Sequence, residues 1–115
     1  MTIVIYHNPR CSKSRQGLAL LRENGVEPEI VEYLKDPPST DELEAILRKL
    51  SMEPRELMRR KEPEYKDLGL ANEGLSRGRL IAAMVEHPRL IERPIVVAGD
   101  RAVLGRPTEK VLELI

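Results

Sequence analysis

Residues 6–15, YHNPRCSKSR, contain the only cysteine of the chain, Cys11, and decide how the rest of the sequence is interpreted. They lie between a predicted strand, Thr2 to Tyr6, and a predicted helix that begins near Ser12. At such a turn the first N–H groups of the helix have no intrahelical partner and the helix dipole is positive. Both effects favour the thiolate, which is the reactive form of cysteine.

The charged residues around the cysteine also favour the thiolate. Arg10, Lys13 and Arg15 flank Cys11, and no acidic residue lies within five positions of it. A free cysteine is often an inert buried residue, so a structural role stays open. The cations nevertheless favour a reactive thiol.

Composition limits the classes of function. The chain has 115 residues, 41% of them hydrophobic, and a net charge of zero, so we expect one domain over residues 1–115 and no nucleic-acid footprint. The single cysteine excludes an intramolecular disulfide and a multi-cysteine metal cage. Neither a signal-peptide pattern nor a membrane-length apolar run is present, so we expect a cytoplasmic, monomeric protein without metal or membrane partner.

The first third of the chain predicts a βαβ unit. After Thr2 to Tyr6, leucines at helical spacing indicate a helix over Ser12 to Asn24, and Gly25 is a good helix terminator. The residues from Glu29 to Leu34 then read as a second strand. Two strands joined by a helix of this length pair in parallel, with a right-handed crossover.

Helices are predicted for the middle of the chain. Ser39 with Glu42 fits a capping box that opens a helix with an apolar face up to Leu50. A short helix is expected from Pro54 and is predicted to end at Glu62-Pro63. A loop with one helical turn is expected over 64–75, followed by a further helix capped by Ser76.

The last part of the sequence predicts two strands and a helix. A strand begins at Arg93-Pro94, Gly99-Asp100 fits a two-residue hairpin turn, and Arg101 to Leu104 returns antiparallel. A closing helix contains Val111, Leu112 and Ile115. The fold class is therefore α/β, βαβ followed by a helical insertion and ββα, with a mixed four-stranded sheet.

This order also predicts where a site can form. Sites in open α/β sheets lie outside the carboxyl ends of the parallel strands, where Cys11 follows the first strand. The start of the third strand, at Arg93, reaches the same edge if that strand runs antiparallel. Of the 19 basic residues 13 are arginine, whose planar fork binds tetrahedral oxyanions in bidentate fashion.

Five segments together resemble the ArsC family of glutaredoxin-linked arsenate reductases, in its short bacterial branch. The resemblance covers nearly the whole chain, in the family's order and spacing. The segments are HNPRCSKSR (7–15), EYLKDPPS (32–39), PRELMRRKE (54–62), LIERPIVV (90–97) and LGRP (104–107).

The resemblance implies a thioredoxin-like fold, a cis peptide bond at Pro94 facing the cysteine, and a set of site residues. It implies that Cys11 is the catalytic nucleophile and that three arginines bind the oxyanion. His7 and Ser14 would help to set the ionisation of the thiol, and Arg15 is a further supporting residue. The implied oxyanion-binding residues are Arg59 (rather than its neighbour Arg60), Arg93 and Arg106.

The activity implied is that of an oxidoreductase that reduces arsenate to arsenite. In the family mechanism the thiolate forms an adduct with arsenate, glutathione supplies an external thiol, and glutaredoxin reduces the mixed disulfide. The resemblance implies no bound cofactor, and glutathione would be a co-substrate. The lack of a second cysteine agrees with an external thiol.

Two other functions remain open. Cys11 with Ser14 forms a C-x-x-S pattern, as in one-cysteine glutaredoxins, which would suit a glutathione-dependent thiol reductase acting on another substrate. The same fold family also contains Spx-type regulators that bind RNA polymerase. Those usually carry a C-x-x-C pair, whereas this chain has serine at the second position.

Overall fold

The computed structural model describes residues 2–115, which form two compact units. The sheet unit comprises residues 2–36 and 93–115, and the helical unit comprises residues 37–92. The single domain expected over residues 1–115 stays a prediction.

The sheet unit has the mixed four-stranded sheet that the sequence predicts. Its strand order is β2-β1-β3-β4, with β1 and β2 parallel and the other two neighbouring pairs antiparallel. With a helix between the parallel strands, this is the thioredoxin-like arrangement. The elements are β1 (Ile3–Tyr6), α1 (Ser12–Glu23), β2 (Glu29–Val31), β3 (Ile95–Ala98), β4 (Arg101–Leu104) and a closing 3₁₀ helix (Thr108–Leu114).

Helix α1 and the closing 3₁₀ helix cover the apolar face of this sheet. Leu18 and Leu21 recur at the spacing of one helix face and join side chains from β1, β3 and the closing helix. At about 25 cal/mol for each Å² of apolar surface removed from water, this burial is the main stabilising term of the unit. The buried core consists of Ile5, Leu18, Leu21, Val96, Ala98, Val111 and Leu114.

Two turns end elements of the sheet unit as their residues predict. After α1, Gly25 has a φ of +80°, which a residue with a Cβ rarely adopts. The hairpin between β3 and β4 pairs Ala98 with Arg101, and Gly99 has a φ of +63°. Glycine at the first central position therefore supplies the positive φ that a two-residue hairpin needs.

The helical unit contains α2 (Thr40–Leu50), α3 (Pro63–Asp67) and α4 (Arg77–Glu86), with 3₁₀ helices over Pro54–Leu57 and Pro88–Leu90. The capping box is present: the Glu42 N–H donates to Ser39 Oγ at 3.1 Å, and the Ser39 N–H donates to Glu42 Oε1 at 3.2 Å. Ser76 caps α4 with one hydrogen bond, which its Oγ accepts from the Arg79 N–H.

Some boundaries differ from the sequence prediction. Strand β2 ends at Val31 instead of Leu34, because the Glu32 carbonyl accepts hydrogen bonds from the N–H groups of Lys35 and Asp36 and closes a turn. Pro63 begins helix α3, where the sequence indicated a stop, since proline is well tolerated in a first helical turn. The 3₁₀ turn over Pro88–Leu90 was not predicted.

Candidate active site

The strand register brings distant segments to one edge of the sheet. Tyr6, the last residue of β1, pairs with Ile95, the first of β3, and Ile95 also pairs with Leu104, the last of β4. Cys11 follows β1, Arg93 precedes β3 and Arg106 follows β4. The antiparallel direction of β3, which the sequence left open, is thus the reason that these residues share an edge.

Cys11 is the N-cap residue of α1 and is 9% exposed. Its backbone is extended, its N–H donates to the Asn8 carbonyl at 3.0 Å, and its own carbonyl accepts from the Arg15 N–H at 3.0 Å. These bonds fix the loop at the point where the thiol enters the positive end of the helix.

The pKa of the Cys11 thiol lies below its ordinary value. Burial raises this pKa, but the backbone N–H of Ser14, the hydrogen bond and charge of the Arg93 guanidinium, and the backbone N–H of Lys13 together lower it further than burial raises it. Ser14 and Lys13 lie in the first turn of α1, whose N–H groups have no intrahelical acceptor. The helix N-terminus and a guanidinium from the start of β3 therefore favour the thiolate.

Two of the three predicted arginines lie at the thiol. Arg93 is 8% exposed and its guanidinium hydrogen-bonds the sulfur of Cys11. Arg106 Nη2 is 4.0 Å from Cys11 Sγ, while its Nε donates to the Arg93 carbonyl at 2.9 Å. The second bond ties the two arginine segments together, so a small anion at the sulfur would meet two guanidinium groups.

His7 and Ser14 form a buried pair behind the cysteine loop. His7 Nδ1 is 2.6 Å from Ser14 Oγ, and the same oxygen accepts the Asn8 N–H at 3.0 Å. Burial is the largest influence on the pKa of His7 and lowers it. The charge of Glu32 raises this pKa by less than burial lowers it, and the charges of Arg22 and Arg15 lower it further. The lowered pKa keeps the ring neutral near pH 7.

Arg15 and Arg10 make hydrogen bonds within the cysteine loop. Arg15 Nη1 donates to the Pro9 carbonyl at 2.9 Å, and the Arg10 N–H donates to Asn8 Oδ1 at 3.0 Å. For Lys13 it is the backbone N–H that lowers the pKa of Cys11.

Arg59 lies in the helical unit, held by carboxylates. Its Nη1 is 2.7 Å from Glu62 Oε1 and its Nε is 3.8 Å from Glu92 Oε1. Arg60 is exposed, and its Nε and Nη2 lie 3.4 Å from the Arg55 carbonyl. The convergence of Arg59 with the cysteine stays a prediction.

Two glycines that the sequence analysis did not single out pack on Pro94. The Arg93–Pro94 peptide bond is cis, as the resemblance implied, and so is Arg106–Pro107. A Cβ on Gly105 would come within 2.8 Å of Pro94 Cγ, and one on Gly17 within 3.0 Å. Gly17 interrupts the interior of α1, where glycine is unfavourable, so a close packing contact could have been inferred from it.

Within residues 2–115 no group of three or more His, Cys, Asp or Glu side chains is arranged to hold a metal ion. Over the same residues, none of the helices combines the length and the apolar character needed to cross a bilayer.

Known proteins resemble the chain in both sequence and structure. The ArsC family model matches residues 6–114. The uncharacterized protein YfgD of Escherichia coli K12 is 57% identical over 98% of this chain and 96% of its own length. A protein of Haemophilus influenzae named arsenate reductase is 50% identical over the full length of both chains. The structure of an arsenate reductase from Vibrio cholerae is 52% identical, covers 100% of this chain and 98% of its own, and superposes with a TM-score of 0.97.

The sheet topology and the buried cysteine at a helix N-terminus define a thioredoxin-like protein with a single cysteine, whose pKa is lowered. With the family match over residues 6–114, the chain belongs to the ArsC family.

Proposed function

We propose that the protein is a cytoplasmic oxidoreductase that reduces arsenate to arsenite, with Cys11 as its nucleophile and glutathione and glutaredoxin as electron donors. The observation that carries the proposal is the Arg93 guanidinium at the sulfur, with Arg106 Nη2 at 4.0 Å. A thiolate beside two guanidinium groups suits a tetrahedral oxyanion substrate. The names of the relatives from Haemophilus influenzae and Vibrio cholerae support the same substrate.

In the first step the Cys11 thiolate attacks the arsenic atom of arsenate and an oxygen leaves as hydroxide. Arg93 and Arg106 are placed to stabilise the negative charge of the oxyanion as the S–As bond forms. Arg59 is proposed as a third oxyanion ligand, which requires its ion pairs with Glu62 and Glu92 to loosen when arsenate binds.

An external thiol completes the reduction, because the chain has one cysteine. A glutathione thiolate attacks the sulfur of Cys11 and forms an S–S bond while the S–As bond breaks. The electron pair of that bond remains on arsenic, which leaves as arsenite after taking up protons. Glutaredoxin then attacks the glutathione sulfur and releases the Cys11 thiolate.

A coupled assay tests this proposal. Purified protein with arsenate, glutathione, glutaredoxin, glutathione reductase and NADPH should consume NADPH in proportion to arsenate, and Cys11→Ser should abolish the consumption. Arg93→Ala should lower kcat about 10²-fold or more, as expected when one donor to the developing charge is lost. Arg101→Ala is the matched control, since this exposed arginine of β4 bonds the Glu113 carbonyl.

Wild-type turnover no higher than that of Cys11→Ser would overturn the proposal. If glutathione still forms a mixed disulfide with Cys11 in that case, a glutathione-dependent thiol reductase with another substrate becomes the better assignment. Capture of RNA polymerase subunits by the wild-type protein would instead favour a regulator.

A further inference from the structure

A cavity of about 300 Å³ lies beside the cysteine loop, outside the arginine site described above. Its walls come from the segment after β1 (residues 7–10) and the segment after β2 (residues 32, 34 and 35). These two strands are parallel neighbours, and the His7 N–H donates to the Val31 carbonyl at 2.8 Å. The cavity therefore occupies the crevice at the carboxyl ends of the parallel strands, where ligands of open α/β sheets bind.

The residues that line this cavity, residues 7–10, 32, 34 and 35, are called the groove below. Its charged side chains carry both signs. Arg10 and Lys35 contribute cations and Glu32 contributes an anion. Leu34 is 40% exposed and supplies an apolar surface. Because burial keeps His7 neutral, the fixed cations of the groove are Arg10 and Lys35.

The internal pairing of these charges is weak. Lys35 Nζ is 3.8 Å from Glu32 Oε1, and the two side chains are 80% and 43% exposed. Such a pair contributes little stability, so a ligand can replace it at small cost. Among residues 2–115 no carboxylate lies within ion-pair distance of Arg10, which is exposed.

We propose that this groove is the docking site for the thiol co-substrate, a proposal that rests on the proposed function. The co-substrate would be a small peptide thiol with two carboxylates and one ammonium group, which is the charge pattern of glutathione. Arg10 and Lys35 would bind the two carboxylates, and Glu32 would bind the ammonium group. The volume lies at the lower end of the range for small-molecule sites and fits a short peptide.

The position of the groove suits the second step of the reaction. Its wall ends at Arg10, and the next residue is Cys11, one Cα–Cα step of about 3.8 Å further along the chain. The Asn8 carbonyl, on the same wall, accepts the Cys11 N–H at 3.0 Å, so the wall is tied to the nucleophile. A bound thiolate would attack the Cys11 sulfur to form the S–S bond, with the S–As electron pair passing to arsenic as described above.

The test measures binding directly, with S-methylglutathione, which cannot exchange with Cys11. Titration into the reduced full-length protein, followed by backbone amide NMR, should shift the amide resonances of residues 7, 8, 10 and 32–35. Arg10→Gln, Lys35→Gln and Glu32→Gln should each weaken binding about three- to tenfold, the loss expected for one charge-assisted contact. Lys110→Gln is the matched control, because Lys110 is an exposed lysine in the closing helix.

A second measurement separates this site from the oxyanion site. Saturating sulfate, which should compete at Arg93 and Arg106, should leave the affinity for S-methylglutathione within twofold of its value without sulfate. In the steady state, Arg10→Gln and Lys35→Gln should raise KM for glutathione with little change in KM for arsenate.

The results distinguish the two proposals. Unchanged binding in all three groove variants, shifts confined to other residues, or no saturable binding would overturn the groove assignment even if arsenate is reduced normally. Groove-dependent binding without arsenate turnover would support the groove and overturn the proposed arsenate chemistry.

Discussion

At the scale of single residues, the thiolate depends on N–H groups close to Cys11 in sequence and on one guanidinium from far along the chain. The sequence drew attention to Arg10, Lys13 and Arg15 because they are near Cys11 in sequence. The pKa is lowered by the N–H groups of Ser14 and Lys13, as expected for a helix N-terminus, and by the Arg93 guanidinium, which the strand register brings to the sulfur. Nearness in sequence predicted the sign of the local charge, whereas the contact itself required the fold.

Ser14 is the residue whose hydroxyl joins the pieces of the cysteine loop. It is 0% exposed, and its Oγ contacts both His7 Nδ1 and the Asn8 N–H. Removing the hydroxyl leaves two polar groups that have lost their partner in a buried region.

Ser14→Ala should lower the free energy of unfolding by about 1–3 kcal/mol, the usual cost of a buried polar group left without a hydrogen bond. Urea denaturation followed by circular dichroism measures the loss. Ser12→Ala is the matched control, because Ser12 is exposed at the first position of the same helix. Equal stability of the two variants would show that the hydroxyl bridge contributes nothing.

At the scale of elements, the contact of Pro94 with its neighbours positions Arg93. The ring lies against Gly17 of α1 and against Gly105 after β4, and the Gly105 N–H donates to the Pro94 carbonyl at 2.8 Å. A side chain at either glycine would displace the proline, and with it the adjacent arginine, from the position seen here.

Gly105→Ala should destabilise the protein by about 1–3 kcal/mol, the usual cost of overpacking a close contact. It should also raise the pKa of Cys11, because a displaced Arg93 no longer stabilises the thiolate. Thermal unfolding and the pH dependence of iodoacetamide alkylation measure the two effects.

The control for this substitution is Gly78→Ala, at an exposed position of α4 with no atom within 4 Å of the added Cβ. Alanine there should be neutral or stabilising by up to about 1 kcal/mol, since glycine is a poor helix former. If Gly105→Ala also leaves stability and alkylation unchanged, the packing contact does not position the arginine.

The elements themselves were largely predictable. Capping residues, terminator glycines and apolar spacing gave the helices, the strands and the hairpin at Gly99. Two boundaries were predicted wrongly. The Glu32 carbonyl accepts hydrogen bonds that close a turn, so β2 is shorter than its residue pattern indicated. Pro63 starts a helix instead of ending one, because proline is tolerated in the first helical turn. Side-chain contacts between segments, such as the groove and the Pro94 packing, leave no periodic signal in the sequence.

At the scale of the whole molecule, the lowered pKa of Cys11 links protonation to folding. The folded chain releases the thiol proton at a lower pH than the unfolded chain, whose thiol has the ordinary pKa of 9.0. The resulting stabilisation is fully present above that ordinary pKa and is lost as the pH falls through the folded-state pKa. His7 acts at lower pH: its lowered pKa makes the folded state lose stability as the pH falls below about 6.5.

The free energy of unfolding of the wild type, minus that of Cys11→Ala, should therefore increase with pH toward about 9 and then level off. The slope should not exceed about 1.4 kcal/mol per pH unit, the limit for one proton. Urea denaturation in the presence of a reductant, at a series of pH values above about 7.5, measures this difference. A difference that does not depend on pH would mean that the thiol ionises equally in both states.

The register that pairs Tyr6 with Ile95 also has a consequence for biosynthesis. A nascent chain leaves the ribosome with Cys11 first, and Arg93 and Arg106 follow more than eighty residues later. Until β3 joins the sheet, the thiol lacks the Arg93 guanidinium that helps to lower its pKa. A nascent chain whose β3 has not yet joined the sheet should therefore hold a less ionised and less readily oxidised thiol than the folded protein.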